Sequence, residues 1–148
     1  MMFCLLVVIM VIFSLSLVSA GFNYHEIKAS NGTINLDDHT LKVPEGYVQD
    51  MDFEKVNQPY GSDDLYWSGV RFNQTGSSNY FSIFVTYSND GRMMDSYNPG
   101  VNYTNVTING VDGIQFVGGN ETIFSYLEKG ALVEIHSNSG SEIFEKIV

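Results

Sequence analysis

The chain has 148 residues, 44% of them apolar and 14% aromatic, so it can bury one ordinary core and is too rich in large side chains to be a disordered polymer. Seventeen acidic residues stand against seven basic ones, a formal charge of −10, and the cations are scattered from Lys28 to Lys146 rather than gathered. Such a surface repels phosphate backbones, which excludes nucleic acid as a partner.

The first element is an export segment. Nothing from Met1 to His25 carries an acidic or fully basic side chain, and Phe3 to Val18 is almost wholly apolar. Val18 and Ala20 place small residues at the two positions a signal peptidase reads, which fits a signal peptide removed after Ala20. An N-terminal membrane anchor is the other reading of residues 1–20. The apolar run would span about 24 Å as a helix, and extension to Tyr24 brings it to the roughly 30 Å of a hydrocarbon core. In either case residues 21–148 are expected to form a single extracytoplasmic, strand-rich domain. It would be secreted, or anchored facing outside the cytoplasm and touching the membrane only through the N-terminal segment. The only cysteine, Cys4, lies in the export segment. The domain therefore has no disulfide, thiolate metal site or cysteine nucleophile.

Beyond the export segment the apolar period is two over most of the chain. Thr33 to Leu36 and Thr40 to Val43 read as short strands closed by Pro44-Glu45-Gly46. Gln49 to Val56 is a candidate second helix. Leu65 to Phe72 and Tyr80 to Tyr87 alternate well and are separated by a turn cluster from Asn73 to Asn79. Ser88 to Asn105 is a long irregular stretch where a binding loop could sit. Val106 to Ile108 and Ile114 to Val117 flank Asn109-Gly110, a hairpin signal because both positions tolerate positive φ. Ile123 to Leu127 and Ala131 to Ile135 flank Glu128-Lys129-Gly130, a further hairpin. At the end, Ser139 or Ser141 can cap a short helix with Ile143, Phe144, Ile147 and Val148 on one face. The fold class expected from this pattern is α+β, an antiparallel β-sheet with a short C-terminal helix packed on it. An all-β sandwich is the alternative.

Leu41-Lys42-Val43-Pro44-Glu45-Gly46-Tyr47, then Thr107-Ile108-Asn109-Gly110-Val111-Asp112-Gly113, then Phe124 to Leu127 leading through Lys129-Gly130 into Val133-Glu134-Ile135, resembles the small uncharacterised exported proteins of methane-producing archaea. Their order of strand, Pro-Glu-Gly turn, Asn-Gly hairpin, further hairpin and terminal helix is similar to the PsbP/Mog1-like fold. The resemblance implies an antiparallel sheet with helices packed on it and an exported location. It carries no catalytic residue, because its motifs are turn signatures that specify shape.

Five Asn-x-Thr triplets begin at Asn31, Asn73, Asn102, Asn105 and Asn120. Composition gives about two by chance, and each is a candidate N-glycosylation acceptor if the domain is exported. Asn and Thr also belong to turns and strands, which is the competing reason for them to be there.

Catalytic patterns are absent. Nucleophilic hydrolysis wants a strained serine elbow and a histidine oriented by a carboxylate, and the chain has no Gly-x-Ser-x-Gly. His25, His39 and His136 are too far apart in sequence for a close-spaced ligand motif. Asp50, Asp52 and Glu54 alternate like the start of a calcium loop, with Asp63 and Asp64 nearby, but the sixth-position glycine and twelfth-position glutamate are missing. A solvated acidic face is the plainer reading. Gly118-Gly119 lacks the Lys-Ser/Thr of a phosphate cradle. The expected role is therefore a non-enzymatic cell-surface module, structural or interacting, with no cofactor and no metal. Its partner would be an extracytoplasmic protein or another cell-surface component, and a carbohydrate- or calcium-binding domain is the alternative.

Strand parity adds one candidate site. Tyr66, Ser68, Val70 and Phe72 share a face with Phe81, Ile83, Val85 and Tyr87, the expected core. The opposite face carries Trp67, Gly69 and Arg71 beside Tyr80, Ser82, Phe84 and Thr86, too aromatic to stay bare without a reason. Its expected cover is the terminal helix, whose apolar stripe must be buried somewhere. The other cover is a ligand such as a sugar ring, with Trp67, Tyr80 and Phe84 as its platform.

Overall fold

A computed structural model describes residues 27–61, 64–88 and 94–148. Residues Met1 to Ala20, expected to be an export segment, lie outside the described residues together with His25, Asp63 and residues 89–93 of the irregular stretch. Two antiparallel sheets and one short C-terminal helix make up the described chain.

The smaller sheet is a meander of β1 (Ile27–Ser30), β2 (Thr33–Leu36) and β3 (His39–Lys42). Its hairpins turn on paired residues of positive φ, Asn31 and Gly32 at 45° and 76°, then Asp37 and Asp38 at 48° and 65°. Two consecutive left-handed residues match the twist of the flanking strands, and Asn, Asp and Gly reach that region at least cost.

The larger sheet holds β4 (Tyr47–Gln49), β5 (Lys55–Tyr60), β6 (Leu65–Gln74), β7 (Tyr80–Ser88), β8 (Thr104–Ile108), β9 (Val111–Gly118), β10 (Glu121–Glu128) and β11 (Ala131–Ser137). Its order is β4-β6-β7-β11-β10-β9-β8, with β5 also on β6. β4 pairs with residues Phe72 to Gln74 and β5 with Leu65 to Gly69, so the two form one interrupted edge strand. β8 to β11 run as a meander, and β11 closes the sheet against β7 through Ile135↔Ile83 and Val133↔Val85.

The core lies between the two sheets. Ile34, Leu36 and Leu41 from the smaller sheet meet Val70, Phe72, Phe81, Ile83, Val85, Phe124, Val133 and Ile135 from the larger one in a single buried cluster. Phe72 and Phe81 stack with ring centroids 5.0 Å apart, and Tyr47 joins Phe81 at 5.0 Å. Phe81, Ile83, Val85 and Tyr87 are buried, as their parity predicts, and so are Ser68, Val70 and Phe72.

The terminal helix is a 3-10 turn, Ser141–Ile143, running into α1 (Phe144–Ile147). Ile143, Phe144 and Ile147 are buried in the inter-sheet core, with the Phe144 ring 5.9 Å from that of Phe124. This corrects the expectation that the helix covers Trp67. The stripe is buried, but on the face of Phe124, because the small sheet leaves that part of the core open for it. Lys42 donates to the Val148 carbonyl, and the Asn109 amide donates to the carbonyls of Glu145 and Val148. These bonds satisfy acceptors that a helix this short cannot satisfy itself. Neither Ser139 nor Ser141 caps it: the N-cap is Gly140 at φ 93°, with no side-chain cap bond.

The second helix expected over Gln49 to Val56 is not there. That segment is the end of β4, a turn at Met51 to Phe53 and the start of β5. Asp50 ties the turn, its Oδ1 accepting from the Asp52 amide while its carbonyl accepts from the Phe53 amide. A short polar side chain that bonds the backbone two residues on favours such a turn over a helix.

Burial of tyrosines has a consequence at high pH. Burial pushes the Tyr87 hydroxyl in the core from its ordinary 10.0 up to about 12 and raises that of Tyr126, and it raises Tyr97 on the other face of the large sheet as well. The folded state holds these protons more tightly than the unfolded chain does. Their contribution to stability is therefore complete below pH 10 and is lost as pH rises towards 12 and beyond. Thermal midpoints should hold steady from pH 7 to about pH 9.5 and fall above it. A midpoint unchanged up to pH 12 would contradict the buried neutral state of these side chains.

Candidate functional site

The face of the larger sheet turned away from the core carries the candidate site. Directly opposite residues of an antiparallel pair share a face, and the register carries this face across the sheet. It runs from Trp67 and Gly69 on β6 through Thr86 and Phe84 on β7 to Glu134 and His136 on β11, then Ser125 and Ile123 on β10. Trp67, Tyr80 and Phe84, the residues singled out from parity, are brought together here, and all three are half-buried.

Gly69 makes the aromatic packing possible. It sits opposite Phe84, and a Cβ at that position would lie 2.7 Å from Phe84 Cδ1 and 2.9 Å from Trp67 Cζ3. Without that side chain the Trp67 and Phe84 rings meet at 5.7 Å between centroids. Phe84 also meets Phe53 edge-on at 6.0 Å and the His136 ring at 4.8 Å. Phe53 reaches this face because the chain between β4 and β5 leaves the sheet edge and turns over it. Arg71 lies between two rings, its guanidinium carbon 4.0 Å from the Phe53 centroid and 4.4 Å from that of Tyr80. Its Nε donates to Ser82 Oγ at 3.1 Å.

A polar network borders the rings. Tyr80 Oη donates to Glu121 Oε1 at 2.7 Å, and His136 Nδ1 stands 3.1 Å from Glu121 Oε2. The tautomer that satisfies this carboxylate carries its proton on Nδ1 and leaves Nε2, which is shielded and without a hydrogen-bond partner, holding a lone pair. Burial pushes the Glu121 carboxyl up, but hydrogen bonds from Tyr80 and His136 outweigh it, and the net effect lowers its pKa. The same bond, with burial, raises that of Tyr80. A second acceptor lies further along the face, where Glu134 Oε1 receives both Tyr97 Oη at 3.0 Å and Ser125 Oγ at 3.1 Å. Beside it, Tyr97, Asp112, Ile114, Ser125, Leu127 and Leu132 help to line a hollow of about 220 Å³.

Sequence reasoning missed Phe53, Glu121, His136, Glu134 and Tyr97 as members of this face. Three of them depend on the β7–β11 pairing, which joins strands distant in the chain. No local signal announces that pairing.

Two of the acids considered for calcium, Asp50 and Glu54, are engaged in hydrogen bonds. Asp50 Oδ2 accepts from Asn73, and Glu54 accepts from Gln49 Nε2 at 2.8 Å. Among the described residues no group of three or more His, Cys, Asp or Glu could hold a metal ion. His39 is buried, with its two ring nitrogens on the carbonyls of Asp37 and Glu128. Among the described residues, neither His39 nor His136 bonds a serine or threonine hydroxyl. The candidate glycosylation residues Asn31, Asn73, Asn102, Asn105 and Asn120 are all exposed.

No protein-family model matches the chain, and neither a curated protein nor a solved structure is similar enough to count as a relative.

Proposed function

We propose that this is a non-enzymatic, extracytoplasmic α+β module that binds carbohydrate on the aromatic face of its larger sheet. The observation that carries the reading is the half-buried row of Trp67, Phe84 and His136, with Tyr80, Glu121 and Glu134 beside it. The apolar faces of a sugar ring pack on aromatic side chains, and its hydroxyls need acceptors held in fixed positions at the rim. Each Glu121 oxygen takes one bond and has a second lone pair, and Glu134 takes both of its bonds on Oε1, so the two carboxylates retain acceptor capacity. The formal charge of −10 favours neutral or amino sugars over acidic ones.

The uncharged apolar run from Phe3 to Val18 supports the location, as does the resemblance of the turn signatures to those of small exported archaeal proteins. The PsbP/Mog1-like assignment belongs to the same proposal, with the small sheet and α1 as the layer packed on the large sheet.

Retention on immobilised polysaccharides tests the reading. The protein should be retained by a neutral or amino polysaccharide, and Trp67→Ala and Glu121→Gln should each reduce retention about tenfold while the protein remains folded, a loss of about 1.4 kcal/mol. Passage through neutral, amino and acidic polysaccharide columns alike would overturn the carbohydrate assignment.

A further inference from the structure

The two ends of the domain differ in a way that bears on modification. Asn31 sits in the β1–β2 turn, and the Gly32 carbonyl beside it accepts from Val43, just ahead of Pro44-Glu45-Gly46. The Gly46 carbonyl in turn accepts from Thr75 in the β6–β7 turn. Asn120 follows Gly119 in the β9–β10 turn, next to Glu121, which bonds Tyr80 at the start of β7. Asn31, Asn73 and Asn120 therefore lie at one end of the molecule. Asn105 lies on β8, the edge of the large sheet, and Asn102 just ahead of that strand, on the side leading away from the Asn109-Gly110 turn.

The described chain begins at the opposite end. Ile27 pairs with Leu36, next to the Asp37-Asp38 turn, where Lys129 of the β10–β11 turn donates to the Asp38 carbonyl. Only six residues, 21–26, separate Ala20 from Ile27, a reach of about 20 Å at full extension.

We infer that Asn31, Asn102, Asn105 and Asn120 carry N-linked oligosaccharides, which crowd the end and edge of the domain remote from the export segment. The inference rests on the extracytoplasmic reading. Asn73 is set apart because its amide donates to Asp50 in the folded protein. At each of the four, the amide Nδ2 would attack the anomeric carbon of an oligosaccharide activated as a lipid phosphate ester. A carbon–nitrogen bond forms and the carbon–oxygen bond to the lipid phosphate breaks. The phosphate leaves with the lipid, and the amide proton passes to a base of the transferring enzyme.

The location also meets a physical need. Among the described residues β8 is an edge strand whose outer backbone groups pair with no other strand of the sheet, a template for pairing with another chain. Bulky hydrophilic chains on Asn102 and Asn105 would block that edge; the register puts Asn105 on the same face as Ser125, Glu134 and Phe84, but five strands away from Trp67.

Intact-mass measurement and glycopeptide mapping of the protein from its native cells test this, with protease accessibility on intact cells as a second readout. The expected result is added sugar mass on Asn31, Asn102, Asn105 and Asn120, each increment removed by its Asn→Gln variant, and none on the exposed Asn35, Asn98 and Asn109, which lie outside such triplets. A chain accessible to protease but carrying no sugar would overturn the inference and leave the extracytoplasmic reading standing. A chain protected inside the cell and unmodified would overturn both.

Discussion

Replacing Phe144 with alanine should destabilise the protein by about 3–5 kcal/mol, the usual cost of emptying a large aromatic site in a core. Phe144 is fully buried, packs on Phe124 and belongs to the same cluster as Ile34, Leu36 and Ile135, so no neighbour can relax into the space without disturbing both sheets. The same variant should leave the emission of Trp67 unchanged while the protein is folded, because the helix and Trp67 occupy opposite faces of the large sheet. Denaturant melts followed by fluorescence read both quantities at once, since Trp67 is the single tryptophan. A loss below about 1 kcal/mol would contradict the core packing of Phe144, and a Trp67 made solvent-exposed by the substitution would mean that the helix contributes to the aromatic face after all.

Gly69→Ala should have the complementary effect. Its new methyl would collide with Phe84 and Trp67 ring carbons at 2.7 and 2.9 Å, closer than such atoms approach in real structures. Rings flanked by Phe53 and His136 have little room to move aside. The expected cost is about 1–3 kcal/mol, as for other overpacked sites. Unlike Phe144→Ala, the substitution should shift Trp67 emission in the folded state and weaken ligand binding. Unchanged stability and emission would show that the Trp67–Phe84 contact is looser than described.

The strands were legible where alternation was long and both neighbours were local. β6, β7, β10 and β11 appear within two or three residues of their expected bounds, and the turns at Asn109-Gly110 and Lys129-Gly130 have the positive φ values their residues suggest, 50° and 86°, then 50° and 77°. β1 was missed although Asn31-Gly32 is the same kind of signal, because a four-residue strand offers too few positions to show a period. β4 and β5 were missed for a different reason. They share one edge of β6 with a register break between Lys55 and Gln58, where Asn57 takes φ 51°, and few of their residues are buried, so hydrophobic alternation scarcely marks them.

The terminal helix shows the limit most clearly. Its stripe of Ile143, Phe144 and Ile147 was readable because a 3.6-residue period is a property of one segment. The surface that receives the stripe belongs to Phe124 and the small sheet, and nothing within the helix encodes that. The candidate site divides in the same way: Trp67, Tyr80 and Phe84 follow from parity on two adjacent strands, whereas Glu121, Glu134 and His136 arrive only when β11 closes against β7.

Iodide quenching of Trp67 in the intact domain, repeated with a saturating neutral or amino oligosaccharide, tests the central claim most directly. Partial quenching in the free protein that is suppressed by the sugar is the result expected of an open aromatic platform. Quenching that the sugar leaves unchanged, with the thermal midpoint also unmoved, would contradict carbohydrate binding at this face.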